Sequence, residues 1–162
     1  MKTLTALLCA LLLAGCGFQL RGGANLPFET LYLQAPQSSL FALQLRRIIS
    51  ASDNTRVTNS QKDAEATLVL VNELREKTIL SLSGGGRVRE YQLRYRISYR
   101  MLNKNSVEII PTTEIALTRD FSFSDDETLS KEAEETLLFR DMQNDAVQQL
   151  VRRLQVAKLA RP

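Results

Sequence analysis

The clearest pattern in the chain is a strict alternation of apolar and polar residues over positions 91–101. The odd-numbered positions are apolar, and the even-numbered positions between them are polar or basic. Since side chains alternate across a strand, this pattern predicts a strand with one apolar and one polar face, in a sheet that is covered on one side only. The residues are Tyr91, Leu93, Tyr95, Ile97, Tyr99 and Met101, with Gln92, Arg94, Arg96, Ser98 and Arg100 between them.

Two strands are predicted before this one. A short strand covers Thr30 to Ala35 and ends at Pro36. A long strand covers Ala66 to Leu82, and its first half is apolar on both faces. Its second half, Glu73 to Lys77, is charged, and we expect that part to project beyond the core.

One more strand follows, over residues 107–110 and 113–123. Pro111 lies between its two parts and predicts a bulge or a broken edge, because proline cannot donate to a strand ladder. Arg56-Val57-Thr58 is predicted only as a brief extended piece. Gly84-Gly85-Gly86 supplies the positive φ values that a hairpin turn needs.

Two helices are predicted from apolar residues at helical spacing. The first covers about Ser39 to Ala51, and Ser38 or Ser39 can cap it. The second follows Ser124-Asp125-Asp126-Glu127, where a serine three residues before a glutamate has the form of a capping box. Its predicted buried face is Phe139, Met142, Ala146, Val147, Leu150, Val151 and Leu154.

The predicted order is β-α-β-β-β-α, which indicates an α+β fold. We expect a two-layer sandwich, with both helices on one face of a four-stranded, mostly antiparallel mixed sheet. The first strand-helix-strand unit favours parallel neighbouring strands joined by a crossover. The other sheet face stays open and carries the arginines. Residues 16–162 are predicted to form one domain, of which residues 16–27 are a connector.

The N-terminal residues have the form of a lipoprotein signal. Lys2 precedes an apolar run from Leu4 to Leu13, which is too short to span a bilayer as a helix. Leu13-Ala14-Gly15-Cys16 has the form of a lipobox, in which the thiol takes a diacylglycerol by a thioether and the new amino group takes an acyl chain. We therefore expect residues 1–15 to be a signal peptide, with covalent lipid on Cys16; two or three chains make such an anchor stable. The alternative is a soluble secretory signal with a chance cysteine.

Composition argues against catalysis. The chain has no histidine, which excludes histidine triads and histidine-metal sites. Of the two cysteines, Cys9 leaves with the predicted signal and Cys16 is acylated, so no disulfide, thiol nucleophile or thiolate metal site remains. The carboxylates at residues 125–135 cluster at a helix start, whereas a glycosidase needs two across a cleft. We expect no enzyme, no metal and no cofactor besides the covalent lipid.

Charge is nearly balanced, with 21 basic and 18 acidic residues, and gives no argument for a nucleic-acid partner. We therefore interpret Tyr91, Tyr95 and Tyr99 as core residues rather than a stacking platform. The triple glycine lacks the Gly-Lys-Ser/Thr ending of a phosphate-binding loop, which favours a hairpin tip.

The segment Gly17-Phe18-Gln19-Leu20-Arg21-Gly22 after the lipobox resembles the Cys-Gly-aromatic-x-Leu-Arg start of the LptE family, the outer-membrane lipopolysaccharide-assembly lipoproteins. Gln19 stands where the family usually has histidine. Further matches are Glu90-Tyr91-Gln92, Leu129-Ser130-Lys131-Glu132 and the helical segment Asp145 to Leu154, and the order of elements also agrees.

The resemblance implies a plug in the lumen of the LptD β-barrel. Such a protein assists barrel assembly, helps deliver lipopolysaccharide to the outer leaflet and can bind it. Phosphates on lipopolysaccharide need several convergent cations. The candidate lipopolysaccharide-binding residues are Arg87, Lys131, Arg89 and Arg94, and the candidate barrel contacts are Gly84, Gly85, Gly86, Arg96 and Arg100. The alternative is that these arginines only form a solvated face.

Gly17 after the lipidated cysteine, rather than aspartate, favours the periplasmic face of the outer membrane. Two other functions stay open at this point. One is an accessory lipoprotein of another envelope transport or barrel-assembly complex, because a fold does not determine a function. The other is a cell-wall hydrolase, which the missing histidine, free cysteine and nucleophile motif argue against.

Overall fold

The computed structural model describes residues 26–52 and 54–157. The predicted signal peptide, Cys16 and nearly all of the connector lie outside these residues. Short 3₁₀ turns cover Gln61–Asp63 and Asp125–Glu127. The strands and helices are β1 (Thr30–Gln34), α1 (Leu40–Ser50), β2 (Arg56–Thr58), β3 (Ala66–Leu82), β4 (Val88–Asn103), β5 (Glu108–Ser122) and α2 (Thr128–Gln155).

The strands form one mixed sheet in the order β2-β1-β3-β4-β5. β1 is parallel to both β2 and β3, whereas β3, β4 and β5 form an antiparallel meander. The predicted α+β class is confirmed, and so is the parallel pairing of β1 with the long strand after α1, which is β3. The predicted strand number of four is wrong. The fifth strand is β2, which pairs with β1 from Arg56 opposite Thr30. The three residues of β2 are too few to show an alternating pattern in the sequence. β2 is therefore identified as a strand only by its pairing with β1.

Both helices pack on the apolar face of the sheet. The alternating residues of β4 lie in the same core cluster as the buried faces of α1 and α2. Tyr95 and Tyr99 are 0% and 1% exposed, as expected for core residues, and Tyr91 packs against the edge of the cluster. The whole predicted buried face of α2 is buried. This arrangement leaves the even-numbered residues of β4 on the open face.

The two helices begin differently. Ser39 caps α1 as predicted, because its Oγ accepts a hydrogen bond from the Ala42 amide at 3.0 Å. The capping box predicted at Ser124 does not form, since the serine side chain makes no capping hydrogen bond. The Glu127 amide instead donates to the Ser124 carbonyl at 3.1 Å, which closes a 3₁₀ turn, and α2 begins at Thr128.

The β3–β4 hairpin extends past β1 and β2, whereas β5 accompanies β4 as far as Glu90. β1 pairs with β3 only as far as Val69, and beyond that point β4 is the one strand among the described residues that pairs with β3. A register shift between Leu70 and Asn72 turns the second half of β3. Glu73, Arg75 and Lys77 then lie opposite the buried residues of β4 and face the helices. The charged half of β3 therefore lies outside the apolar core, as expected. It does not project away from the helices, however, because its alternate charged side chains point to the helix-covered face of the sheet.

The broken edge predicted at Pro111 is confirmed as a register shift. Thr113 pairs with Tyr99, but the next pair joins Ile110 to Met101, so β5 has one extra residue at this point. β5 forms the outer edge of the sheet, where a residue without an amide donor is tolerated.

Candidate functional site

The β3–β4 hairpin closes over residues 83–87 at one end of the sheet. The Ser83 amide donates to the Arg87 carbonyl at 2.7 Å, and the Arg87 amide donates to the Ser83 Oγ at 3.1 Å. Among the three glycines Gly86 has a positive φ, of 80°, so the triple glycine supplies one positive φ to the turn. A Cβ at any of the three would meet no atom within 4 Å. The tip is therefore freely accessible.

Lys131 reaches this end of the sheet from the first turn of α2. Its Nζ donates to the Ser122 Oγ at 3.2 Å and pairs with a Glu134 oxygen at 2.9 Å. The lysine side chain is only 15% exposed. Its charge is therefore positioned by the protein and partly neutralised.

The ends of β4 and β5 bring Lys131 close to the hairpin arginines. The residue after Ser122, Phe123, donates its amide proton to the Arg89 carbonyl at 2.7 Å. Arg87 follows two residues closer to the turn, and both arginines are exposed. The structure thus places three of the four residues that the sequence assigns to lipopolysaccharide at the same end of the sheet.

Large apolar side chains are also exposed at this end of the sheet. Leu129 is 84% exposed, and Ile79, Leu80 and Leu82 are 57%, 47% and 55% exposed. Exposed apolar groups of this size, grouped at one end, are typical of an interaction site. We call this region the hairpin-end surface: Ile79, Leu80, Leu82, Arg87, Arg89, Leu129 and Lys131.

The fourth residue, Arg94, lies apart from the hairpin-end surface. It is five positions along β4 from Arg89, or about 16 Å at the usual strand rise. Its guanidinium lies 3.3 Å from the side-chain oxygen of Gln92 on the open face. Arg96 follows on the same face and pairs with Glu76 at 3.2 Å, and with a second carboxylate at 3.8 Å. The open face is therefore a mixture of positive and negative charges.

Residues 28–154 match the model of a protein family described as "LptE: Lipopolysaccharide-assembly". The chain belongs to the LptE family. The LPS-assembly lipoprotein LptE of Photorhabdus laumondii is 31% identical over 160 residues, which cover 94% of this chain and 84% of that protein. The protein of the same name from Yersinia enterocolitica is 30% identical over 156 residues, covering 94% and 74%.

Solved structures agree with this assignment. Lipoprotein B of Nitrosomonas europaea, solved by NMR, has 44% identity and a TM-score of 0.75, and covers 86% of this chain and 90% of that one. The rare lipoprotein B of Shewanella oneidensis has a TM-score of 0.66 over 77% and 92%, and at 22% identity it supports the fold alone. The predicted family resemblance is confirmed.

This LptE-family chain also contains polar contacts under its helices that sequence reasoning missed. Tyr95 donates its hydroxyl proton to Glu73 at 2.8 Å, and the Ser39 hydroxyl donates to the other oxygen of that carboxylate at 2.6 Å. Burial of the phenol, and then its hydrogen bond to Glu73, raise the pKa of Tyr95 well above its ordinary value. The phenol therefore stays neutral, and this junction joins α1 to the sheet.

Lys77 attaches the start of α2 to the hairpin. Its Nζ lies 4.2 Å from the centre of the Tyr91 ring and under 6 Å from the rings of Phe121 and Phe123, and it pairs with Glu135 at 2.5 Å. The sequence indicated that Glu73, Arg75 and Lys77 share one face of β3, because they occupy alternate positions of a strand.

Two findings on residues 26–52 and 54–157 concern metal-binding groups and membrane-spanning helices. No three side chains of histidine, cysteine, aspartate or glutamate come together there as a possible metal site. No helix in that part of the chain combines the length and the apolar character needed to cross a bilayer.

Proposed function

We propose that this chain is a lipid-anchored plug of an LptD β-barrel in the outer membrane, assisting barrel assembly and the delivery of lipopolysaccharide to the outer leaflet. Membership of the LptE family supports the assembly role. The hairpin-end surface is the observation that carries the binding role, because it joins clustered cations to exposed apolar side chains.

Lipopolysaccharide combines phosphate groups with fatty chains, and the hairpin-end surface is complementary to both. Arg87 and Arg89 have no carboxylate partner among the described residues, so their charges are available for a phosphate. Lys131 exchanges its partner Glu134 for a phosphate at little cost in free energy. The ion pair joins residues three apart on one helix, and the Glu134 side chain is 44% exposed. The leucines beside them offer an apolar surface for acyl chains.

The rest of the sheet suits the inside of a barrel. The lumen of an outer-membrane barrel is polar, and the open sheet face carries charges of both signs. We propose that Arg94, Arg96 and Arg100, with the glycine tip at residues 84–86, contact the barrel wall. The length of the β3–β4 hairpin carries the glycine tip away from β1 and β2 towards the barrel wall.

The covalent lipid on Cys16 and the location at the periplasmic face of the outer membrane complete the proposal. Residues 1–15 are the signal peptide in this account. Two or three acyl chains hold the protein to the bilayer.

The first experiment isolates the tagged full-length protein from detergent-solubilised outer membrane and identifies what elutes with it. We expect a large β-barrel in stoichiometric amount. Recovery of a different transport complex would replace the barrel-plug role by the accessory-lipoprotein alternative.

The second experiment measures lipopolysaccharide binding to the purified full-length protein. We expect the double variant Arg87→Glu, Lys131→Glu to bind at least tenfold more weakly, because two cations become two anions. The control is Arg152→Glu, a charge reversal at an exposed position of α2 far from the hairpin. Equal binding by all three proteins would refute the hairpin-end surface as the binding site.

A further inference from the structure

A groove on the outer surface of the helix layer takes no part in the function proposed above. It has a volume of about 400 Å³ and lies between α1 and α2, with β3 at its floor. Volumes of roughly 300–1,000 Å³ are usual for small-molecule sites. We call it the interhelix groove and define it by Leu40, Leu43, Gln44, Arg47, Arg75, Thr136, Arg140, Gln143 and Asn144.

Three arginines from three different elements line this groove. Arg47 comes from α1, Arg75 from β3 and Arg140 from α2, and the lining contains no carboxylate. Neither helix arginine has an ion pair within the part of the chain that the structure describes. Three cations in the lining of one groove, with no carboxylate in that lining, form a site for an anion, and guanidinium groups bind phosphate well.

A chain of hydrogen bonds orients the amides of the groove. Arg75 donates to the Gln143 side-chain oxygen at 2.7 Å, Gln143 donates to the Gln44 oxygen at 2.8 Å, and Gln44 donates to the Asn144 oxygen at 2.5 Å. Because arginine can only donate, it fixes the direction of the whole series. The series ends on Asn144, whose NH₂ group is left as a further donor in the lining of the groove.

The other end of the groove is apolar. Leu40 and Leu43 are 58% and 45% exposed, and they share one face of α1 with Arg47 at the spacing i, i+3, i+7. Along α1 the groove therefore changes from apolar to cationic. Such a surface fits a ligand with an anionic head and an alkyl chain.

We propose that the interhelix groove binds an anionic glycerophospholipid. The phosphate lies against Arg47, Arg75 and Arg140, and the start of one acyl chain lies on Leu40 and Leu43. A groove of this volume admits one head group, whereas the diphosphorylated, many-chained lipid of lipopolysaccharide needs more room.

This inference rests in part on the proposed lipid anchor. Residues 16–25 separate the acylated cysteine from the first described residue, and ten extended residues reach at most about 35 Å. The described domain therefore begins within about 35 Å of the phospholipid leaflet, where the effective concentration of head groups is high.

The test is native mass spectrometry of the acylated full-length protein released from detergent, titrated with phosphatidylglycerol or with zwitterionic phosphatidylcholine. We expect one phosphatidylglycerol to bind, and phosphatidylcholine to bind at least tenfold more weakly. The variant Arg47→Gln, Arg140→Gln should lose about tenfold or more of the phosphatidylglycerol affinity. Both side chains are exposed, so the fold tolerates the change.

Two controls make the result decisive. Arg56→Gln, Arg152→Gln removes the same charge from exposed positions outside the groove and should bind like the unmodified protein. Asn144→Asp puts an anion at the end of the amide series and should weaken phosphatidylglycerol binding while leaving the melting temperature nearly unchanged. Equal binding of the two lipids, or equal binding by the groove variant and its control, would overturn the proposal.

The experiments can refute the lipid-binding proposal for the interhelix groove and the barrel-plug proposal independently of each other. Phosphatidylglycerol binding that persists in a protein recovered without a barrel would support the groove and refute the plug. Barrel recovery that falls in the groove variant, with phosphatidylglycerol binding unchanged, would make the groove a protein contact and overturn the lipid proposal.

Discussion

Replacing Tyr95 by phenylalanine tests the junction that joins α1 to the sheet. Tyr95 is completely buried, and its hydroxyl donates to Glu73 at 2.8 Å. The substitution removes this one oxygen and leaves the ring in place. Glu73 then keeps only the hydrogen bond from Ser39, at the N-terminus of α1.

The magnitude follows from the charge on the acceptor. A hydrogen bond to a charged group contributes roughly 1.5–3 kcal/mol, and the remaining Ser39 contact keeps the loss near the lower part of this range. We expect Tyr95→Phe to lower the free energy of unfolding by about 2 kcal/mol at pH 7. At about 3 °C per kcal/mol for a domain of this size, the melting temperature falls by about 6 °C.

The effect depends on pH in a direction set by the raised pKa of Tyr95. An unfolded tyrosine ionises near pH 10, whereas the buried phenol stays protonated above that pH. Between these two pKa values only the unfolded state loses its proton, so the hydroxyl's contribution is complete below about pH 10 and falls as the pH rises further. At pH 11 the contribution of the Tyr95 hydroxyl to the free energy of unfolding is reduced by about 1.4 kcal/mol.

Urea unfolding at pH 7 and pH 11 measures this change. The difference in unfolding free energy between the unmodified protein and Tyr95→Phe should shrink from about 2 to below about 1 kcal/mol. The control is Tyr32→Phe, since Tyr32 is only half-buried and its hydroxyl has no hydrogen bond to the described residues; its effect should stay within about 0.5 kcal/mol. A Tyr95 effect as small as the control, or one that is the same at both pH values, would refute the reasoning.

Three further substitutions test other parts of the fold. Gly86→Ala should cost about 1 kcal/mol of unfolding free energy because of its φ of 80°, whereas Gly84→Ala, with open space around it, should be neutral; thermal melting compares the two. Lys77→Ala should cost about 1–2 kcal/mol, because it removes a cation from three rings and an ion pair, and Lys77→Arg should restore most of this in the same melts. Leu45→Ala should cost about 2–5 kcal/mol in urea unfolding, since Leu45 is 0% exposed, while Leu43→Ala, 45% exposed, should cost under about 1 kcal/mol.

Local pattern was enough to predict most of the fold. The alternation in β4 and the apolar stripe of α2 each extend over many residues, so their buried faces could be read without tertiary information. β2 could not be predicted in this way, because its three residues become a strand only through their pairing with β1. At Ser124 the local pattern was misleading, since the 3₁₀ turn satisfies the Glu127 amide through the backbone.

The sites depended more on long-range geometry. Arg87, Arg89 and Lys131 were chosen from the sequence, but their meeting at one end results from the contact between Lys131 and Ser122. The interhelix groove was not foreseen. Its hydrogen bond between Gln44 and Asn144 joins residues a hundred positions apart, and no local pattern carries that information.

The two halves of β3 should differ in hydrogen exchange. Amides of Ala66–Leu70 lie in buried backbone and should exchange only when the whole domain unfolds. Within residues 26–52 and 54–157, the strand beyond the register shift pairs with β4 alone. Contacts of Glu73, Arg75 and Lys77 link it there to α1 and α2. Protection should therefore decrease towards the turn and be lowest after Thr78. The hairpin tip can then fray and re-form many times while the core remains folded, so a partner can remodel it without unfolding the protein.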